Sequence, residues 1–262
     1  METLLIVENL VKTYGHGKTA VHAVHQVSFC IQKGECLGLV GESGSGKSTL
    51  ARLLLALEKP DQGDVRLLGA SIVEIKKSSL RKMRQHIQVV FQDSNASLNE
   101  RLPVWRSVLE PLDNFPEVKP SFLADVREDR RESAARLLKM VGLGPEYLDR
   151  YPHELSGGQR QRVGIARGIS LKPQLLICDE PTSSLDVTVQ ASILKLLKEL
   201  QTELEMSFLF ISHDIAAVHQ MSNRIIIMKD GAIVDEFASE LINEPERHDY
   251  TKSLLSAVYD LE

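Results

Sequence analysis

The segment Gly41-Glu42-Ser43-Gly44-Ser45-Gly46-Lys47-Ser48 fits the pattern G-x-x-x-x-G-K-[S/T] and says most about the architecture. The apolar run Cys36–Val40 comes directly before it, and residues with helical spacing follow from Ser48 to Leu57. Glycines let the backbone curl so that successive N–H groups point at a phosphate, and the following helix offers its positive end to the same anion. The segment therefore predicts a strand, a phosphate-binding loop and a helix, in that order.

Two side chains of this loop have predicted roles. Lys47 is expected to reach the β- and γ-phosphates of a nucleotide, and the Ser48 hydroxyl is expected to take a position on Mg²⁺. The alternative is a surface loop rich in glycine and serine, since a chance match in such a chain is on the order of one in a hundred. The position between a strand and a helix favours phosphate binding.

A second apolar run, Leu175–Cys178, ends in the acidic pair Asp179 and Glu180. Open α/β sheets bind ligands at the carboxyl ends of their strands, which is where this pair is predicted to lie. Asp179 suits a Mg²⁺ role, mostly through water. Glu180 suits the orientation or deprotonation of a water that attacks the γ-phosphate. The alternative is a solvated turn, which the phosphate-binding segment disfavours.

The remaining pattern predicts strands that alternate with helices, which indicates an α/β fold with a mostly parallel sheet. Val187–Leu204 is predicted as an amphipathic helix, and Asp230-Gly231 as a hairpin turn. Further strands are predicted at Leu4–Val7, Val27–Ile31, Gln88–Phe91, Phe208–Ile211, Arg224–Met228 and Ala232–Asp235.

The middle of the chain, from about residue 93 to residue 172, is mostly polar with helical periodicity. Arg131–Val141 is predicted as a helix that stops at Gly142. Several prolines precede it, so residues 111–124 are predicted as a loop. This region is expected to be a helical insertion into the α/β core.

Composition excludes several classes of protein. The 262 residues contain 31 Lys+Arg and 36 Asp+Glu, and the net charge of −5 argues against a nucleic-acid partner. No stretch approaches the roughly 18 apolar residues of a membrane-spanning helix, and the N-terminus is not expected to be a secretory signal. The three cysteines, without C-x-x-C spacing, disfavour disulfides and zinc sites and favour a reducing cytosol.

The segment Leu155-Ser156-Gly157-Gly158-Gln159 comes before the helix-compatible run Arg160–Arg167. A serine and two glycines before a helix form a second anion-binding N-terminus. One nucleotide cannot use two such cradles that lie far apart on one surface. The simplest arrangement that uses both cradles is a dimer, in which the second cradle of each chain covers the nucleotide of the other.

With these motifs in this order, the sequence resembles the ATP-binding cassette (ABC) ATPases over nearly its whole length, and LSGGQ is the signature of that family. The resemblance implies an α/β P-loop NTPase core with a mostly parallel sheet, an N-terminal antiparallel β subdomain and an inserted helical subdomain. It implies one domain over residues 1–262, with the nucleotide-binding core at 1–92 and 169–240, the helical subdomain at 93–168 and a C-terminal tail at 241–262.

The resemblance also implies a role for each matching residue. Nucleotide binding is implied, with Tyr14 stacking on adenine, for Tyr14, Gly41, Ser43, Gly44, Gly46, Lys47, Ser48 and Thr49. Catalytic roles are implied for Gln92, Glu180 and His213, and Mg²⁺ ligation for Ser48, Gln92 and Asp179. Contacts to the ATP of the partner chain are implied for Leu155, Ser156, Gly157, Gly158 and Gln159, and subunit contacts for Ser184 and Asp186 of the D-loop. Without the resemblance to this family, Tyr14 and His213 would be interpreted as structural residues at strand ends.

Two segments indicate to which branch of the family the sequence is most similar. Val90–Asn99 resembles the FQDPxxSLNPR stretch of oligopeptide, dipeptide and nickel importer ATPases, and His248–Leu255 resembles their HPYTxxLL segment. Ser94, Glu100 and Asp249 stand where that branch has proline. The short segment after Leu255 is most similar to the shorter ATPase of nickel importers.

The resemblance therefore implies an ATPase subunit that uses ATP and Mg²⁺ to power an importer of nickel, a metal chelate, or di- and oligopeptides. Implied partners are a second ATPase subunit, two transmembrane permease subunits and, indirectly, an extracytoplasmic substrate-binding protein, at the cytoplasmic face of the membrane. The alternative is a non-transport ABC ATPase of DNA repair or translation. Such proteins typically carry long coiled-coil insertions or two cassettes, and this sequence has one cassette without sustained heptads.

Overall fold

The computed structural model describes residues 2–15, 17–92 and 97–259. Part of the stretch Val90–Asn99, which carries the importer resemblance, lies outside these residues. The chain divides into two compact units, one formed by Met1–Arg84 with Ser207–Glu262 and the other by Gln85–Met206. We call them unit 1 and unit 2.

The described strands, in chain order, are β1 (Thr3–Tyr14), β2 (Val21–Gln32), β3 (Cys36–Val40), β4 (Gln62–Leu67), β5 (Ala70–Ser71), β6 (Ile87–Val90), β7 (Leu175–Asp179), β8 (Ser207–Ser212), β9 (Arg224–Lys229) and β10 (Ala232–Ala238). The described α-helices are α1 (Lys47–Leu54), α2 (Lys77–Met83), α3 (Val104–Asn114), α4 (Arg130–Met140), α5 (Gly157–Ile169), α6 (Val187–Leu204), α7 (Ile215–Met221) and α8 (Asp249–Tyr259). None of these helices is long and apolar enough to cross a membrane.

Unit 1 contains an antiparallel sheet with the strand order β2-β1-β4-β5. Leu5 lies opposite Ile31 on one side and Leu67 on the other, and all three side chains are fully buried. The strands predicted at Leu4–Val7 and Val27–Ile31 are confirmed, but both belong to strands of 12 residues. The outer parts of β1 and β2 lack a clear apolar alternation because they are largely exposed, so the sequence pattern understates their length.

The second sheet region of unit 1 is built on β3, which runs parallel to β8 on one side and to β9 on the other. All five residues of β3 are buried, as a strand covered on both faces requires. A Cβ atom at Gly38 would lie 2.2 Å from the Val218 Cγ1 of α7, so glycine lets this helix pack closely on the strand. Asp230 and Gly231 both have positive φ and join β9 to antiparallel β10, which confirms the predicted hairpin.

Unit 2 contains the parallel pair β6 and β7 together with helices α3 to α6. Helix α6 has the predicted bounds, Val187–Leu204, and its buried face consists of leucine and isoleucine. Helix α4 begins one residue earlier than predicted, at Arg130, where the Asp129 carboxylate accepts hydrogen bonds from two first-turn N–H groups. The chain leaves this helix through Gly142 with a φ of +73°, as the sequence predicts.

The predicted loop at residues 111–124 is wrong at both ends. Helix α3 continues through Pro111 to Asn114, and Ser121–Leu123 forms a short 3-10 turn. A proline inside a helix costs about 3 kcal/mol, whereas each buried Val or Leu contributes roughly 1.5–3 kcal/mol. Val108, Leu109 and Leu112 are all buried. Their burial therefore outweighs the proline, a tertiary effect that a local rule about proline does not include.

The cap of α4 provides a stability test. Asp129→Ala is expected to lower the free energy of unfolding by about 1 kcal/mol, because two first-turn N–H groups lose their acceptor. Urea unfolding of the full chain, followed by circular dichroism, measures this change. Glu128→Ala is the matched control, since it also removes one carboxylate, and the ion pair that it breaks, with Lys119, is exposed. Equal unfolding free energies for the two variants would contradict the capping role.

Candidate functional site

The predicted phosphate-binding loop lies between β3 and α1, as expected from the sequence. Gly46 has a φ of +102°, and a Cβ atom there would lie 2.1 Å from the Ala23 carbonyl oxygen. A Cβ atom at Gly41 would lie 2.2 Å from the Met228 carbonyl oxygen. Both positions therefore require glycine, because the backbone of the loop lies directly against other backbone. Helix α1 ends at Leu54, three residues before the predicted end at Leu57.

Lys47 is the buried centre of this loop, with only 5% of the residue exposed. Its ammonium donates hydrogen bonds to the Gly41 carbonyl oxygen at 2.6 Å and to the Glu42 carbonyl oxygen at 2.9 Å. A buried cation is stable only when acceptors surround it, and phosphate oxygens are stronger acceptors than carbonyl oxygens. The loop therefore holds Lys47 in a position that suits a phosphate.

The rest of the loop is open to a ligand. Ser43, Gly44 and Ser48 are exposed, and Gly46 precedes α1 without a side-chain cap. The first N–H groups of a helix without such a cap are available to an anion. The buried Ser45 hydroxyl has no hydrogen-bond partner among the described residues. The donors of this loop therefore fit the phosphates of a nucleotide.

Tyr14 ends β1 and is brought next to Thr49 of helix α1. Its hydroxyl donates a hydrogen bond to the Glu58 carboxylate, and 38% of the residue is exposed. The pKa of the Tyr14 phenol is raised, first by burial and then by its hydrogen bond with Glu58, so the hydroxyl stays protonated. The exposed ring can stack on a base, as the sequence predicts. Glu58 itself was not predicted, because no local pattern links it to a tyrosine 44 positions away.

His213 follows β8 and is exposed. Its neighbour Asp214 caps α7 by accepting hydrogen bonds from two N–H groups of the first turn. In the parallel pair of β3 and β8, Val40 lies opposite Ser212. The phosphate-binding loop and His213 therefore leave the same edge of the sheet, from paired positions.

Unit 2 brings two other predicted residues into contact. The Gln92 amide donates a hydrogen bond of 3.2 Å to the Glu180 carboxylate. Val90 lies opposite Cys178 in the parallel pair of β6 and β7. Gln92 comes two residues after Val90, and Glu180 comes two residues after Cys178. Glu180 has a φ of +47°, which is uncommon for a residue other than glycine and is typical of functional sites. Asp179 comes directly before it, half-buried at the end of β7.

The predicted second cradle is a capped helix start. The Ser156 hydroxyl accepts the Gln159 N–H, and the Gln159 side chain accepts the Ser156 N–H at 2.9 Å. The Gln159 amide also donates to the Tyr147 hydroxyl at 3.0 Å. This reciprocal pair fixes the chain direction where α5 begins.

This helix start lies against the D-loop within unit 2. A Cβ atom at Gly158 would lie 2.6 Å from the Val189 side chain, and one at Gly157 would lie 3.4 Å from Leu185. The Asp186 carboxylate caps α6 through the Val189 N–H. Ser156, Ser184 and Asp186 are exposed. The structure thus brings the signature segment and the D-loop together, with polar residues of both at the surface.

The residues that the sequence predicts as Mg²⁺ ligands are oxygen donors from separate parts of the chain. Within residues 2–15, 17–92 and 97–259, no group of three or more His, Cys, Asp or Glu side chains could hold a metal ion by itself. The Ser48 hydroxyl, the Gln92 amide and the Asp179 carboxylate are oxygen donors of the kind that Mg²⁺ prefers. Mg²⁺ in nucleotide sites is bound through few protein ligands together with substrate phosphates, so each of these donors is by itself of a kind that suits the ion.

The model of the ABC transporter family matches residues 24–183. The chain is 46% identical to the probable peptide ABC transporter ATP-binding protein y4tS of Sinorhizobium fredii, over 98% of this chain and 72% of that protein. It is 44% identical to the oligopeptide transport ATP-binding protein OppF of Streptococcus mutans, over 97% of this chain and 81% of that protein.

A solved structure agrees with these relatives. The ATP-binding cassette MJ0796, in a dimeric post-hydrolysis state bound to ADP and Pi, superimposes with a TM-score of 0.78 at 32% identity, over 90% of this chain and 99% of that chain. The α/β P-loop NTPase fold predicted from the sequence is confirmed, and the non-transport alternative is not favoured. The chain belongs to the ABC transporter family, as an ATP-binding and ATP-hydrolysing importer subunit.

Proposed function

We propose that this chain hydrolyses ATP at the residues described above to power the import of di- or oligopeptides. The observation that carries the site assignment is the buried ammonium of Lys47, held by carbonyl oxygens of its own loop. An ammonium has three N–H donors, so phosphate oxygens of ATP join these carbonyl oxygens as charged acceptors. The functional division that we propose keeps residues 1–92 and 169–240 as the nucleotide-binding core, 93–168 as the helical subdomain and 241–262 as the C-terminal tail.

The nucleotide is bound by residues of the loop and of α1. The glycines at positions 41, 44 and 46 let backbone N–H groups approach the phosphates, with Ser43, Lys47, Ser48 and Thr49 beside them. The Tyr14 ring stacks on the adenine, an interaction worth about 1–3 kcal/mol. Ser48, Gln92 and Asp179 are the proposed ligands of Mg²⁺. When bound, this ion neutralises negative charge that develops on the phosphates.

Glu180 is the proposed general base. It accepts a proton from the attacking water or orients that water, while the Gln92 amide fixes the direction of the carboxylate. His213 is proposed to contact the γ-phosphate. Catalysis of this type depends on positioning and electrostatic stabilisation, with little covalent chemistry on the protein.

A second ATPase chain, identical or paralogous, completes each site in this proposal. The signature segment, formed by Leu155, Ser156, Gly157, Gly158 and Gln159, would contact the ATP of the partner. Ser156 is exposed, and the Gln159 side chain fixes it by accepting its N–H. Ser184 and Asp186 would contact the opposite subunit. The dimeric form of the cassette MJ0796 supports this arrangement. Two transmembrane permease subunits at the cytoplasmic face, and indirectly an extracytoplasmic substrate-binding protein, are the further proposed partners, with no nucleic acid involved.

The names of the relatives favour peptides over nickel as cargo, since both describe peptide or oligopeptide transport. Uptake of a labelled dipeptide and of labelled nickel, in cells of the source organism that carry wild type or Glu180→Gln, tests this choice. Selective loss of dipeptide uptake is the expected result. Selective loss of nickel uptake would instead make the chain part of a metal importer.

The base assignment predicts a specific defect. Glu180→Gln is expected to bind ATP but to hydrolyse it about 10²–10⁴-fold more slowly, because the water loses its proton acceptor. Phosphate release and ATP titration on the purified chain measure the two properties. Glu199→Gln, an exposed change of the same kind on α6, is the control and should keep wild-type turnover. Near-normal turnover in Glu180→Gln would refute the assignment.

The phosphate-binding loop predicts a different defect. Lys47→Ala is expected to lose most nucleotide affinity, since the phosphates lose their charged donor. Calorimetric titration with ATP measures the dissociation constant. Lys33→Ala removes an exposed lysine whose ammonium pairs with the exposed Glu2, and it should bind ATP as wild type does. Unchanged binding by Lys47→Ala would contradict the role of the loop.

A further inference from the structure

A short segment near the C-terminus is fixed to unit 1 by one carboxylate. We call residues 247–251 the C-terminal strap. The Asp235 carboxylate of β10 accepts hydrogen bonds from the His248 N–H at 2.9 Å, the Thr251 hydroxyl at 2.8 Å and the Arg247 guanidinium at 3.5 Å. Thr251 is fully buried. The strap therefore has a defined position on the sheet.

This position brings Tyr250 to the phosphate-binding loop. Only 8% of Tyr250 is exposed, and the Lys229 ammonium lies 4.7 Å from the centre of its ring. The Tyr250 hydroxyl accepts a hydrogen bond of 3.2 Å from the Glu42 N–H. Burial raises the pKa of the phenol. The hydrogen bond from the Glu42 N–H lowers this pKa and the negative charges of Glu42 and Asp230 raise it, so that the net direction is upward and the hydroxyl stays neutral.

The Glu42 N–H belongs to the same peptide group as the Gly41 carbonyl oxygen. That oxygen accepts the 2.6 Å hydrogen bond from the Lys47 ammonium. Because a peptide group is planar, its N–H and its C=O turn together. Tyr250 on one side and Lys47 on the other therefore hold one rigid plane between them.

We propose that Tyr250 is a positioning residue for ATP binding, which fixes the Gly41–Glu42 peptide plane and through it the Lys47 ammonium. Without the hydroxyl, the Glu42 N–H loses its acceptor and the plane is free to rotate. Lys47 is then less often in the orientation that binds phosphate. This inference rests on the proposed role of Lys47 in phosphate binding.

The test compares two variants of the full chain that each remove one side-chain hydroxyl of the strap. Tyr250→Phe removes the hydrogen bonds of the hydroxyl to the Glu42 N–H and side chain, and Thr251→Val removes a bond to Asp235. Calorimetric titration with ATP gives the dissociation constant, and thermal unfolding gives Tm. Tyr250→Phe is expected to bind ATP about fivefold more weakly, which is within the range for loss of one hydrogen bond. Thr251→Val is expected to lower Tm and to keep wild-type affinity.

Two results would overturn the inference. One is wild-type affinity in Tyr250→Phe. The other is an equal loss of affinity in both variants, since the effect would then come from a loosened strap rather than from the Tyr250 hydroxyl. Lys47→Ala in the same series separates this inference from the proposed function. If Lys47→Ala binds ATP normally, the phosphate site itself is wrong, whereas weak binding there with normal binding in Tyr250→Phe rejects only the role of Tyr250.

Discussion

The burial of the Lys47 ammonium is the constraint on which the rest of the phosphate-binding loop depends. A buried charge needs acceptors, and here the acceptors are carbonyl oxygens of Gly41 and Glu42. Those oxygens can face inward only if the loop curls tightly, which requires glycine at positions 41 and 46, where neighbouring backbone leaves no room for a Cβ atom. The loop sequence and the loop shape thus have one physical cause, and the proposed affinity for phosphate follows from the same buried charge.

Strand register positions the predicted functional residues within each unit. In each unit, two parallel strands end side by side, and the residues that follow them carry the predicted chemistry. Val40 and Ser212 lead to the loop and to His213, while Val90 and Cys178 lead to Gln92 and Glu180. Parallel strands place their carboxyl ends at one edge, so residues far apart in the sequence come together without any local motif that links them.

The signature segment and the D-loop are positioned by helix caps and close packing within unit 2. Ser156 and Asp186 each cap a helix, and two glycines allow the first helix to lie against the start of the second. Capping fixes the backbone, while the exposed polar side chains stay at the surface. A segment fixed in this way needs little further ordering, which would lower the entropic cost of the proposed contact with a second chain.

The sequence by itself determined the motifs, because a phosphate-binding loop, a capping box and a D-G hairpin are each encoded in adjacent residues with local backbone preferences. It also determined the buried strands and the bounds of Val187–Leu204, since burial of one face sets a clear period. Only the tertiary structure decided that a helix runs through Pro111, where buried leucines outweigh the lost hydrogen bond. Only the tertiary structure brought Tyr250 to Glu42, which lies 208 positions away in the sequence. Such a contact depends on how whole elements pack, and no local sequence pattern encodes it.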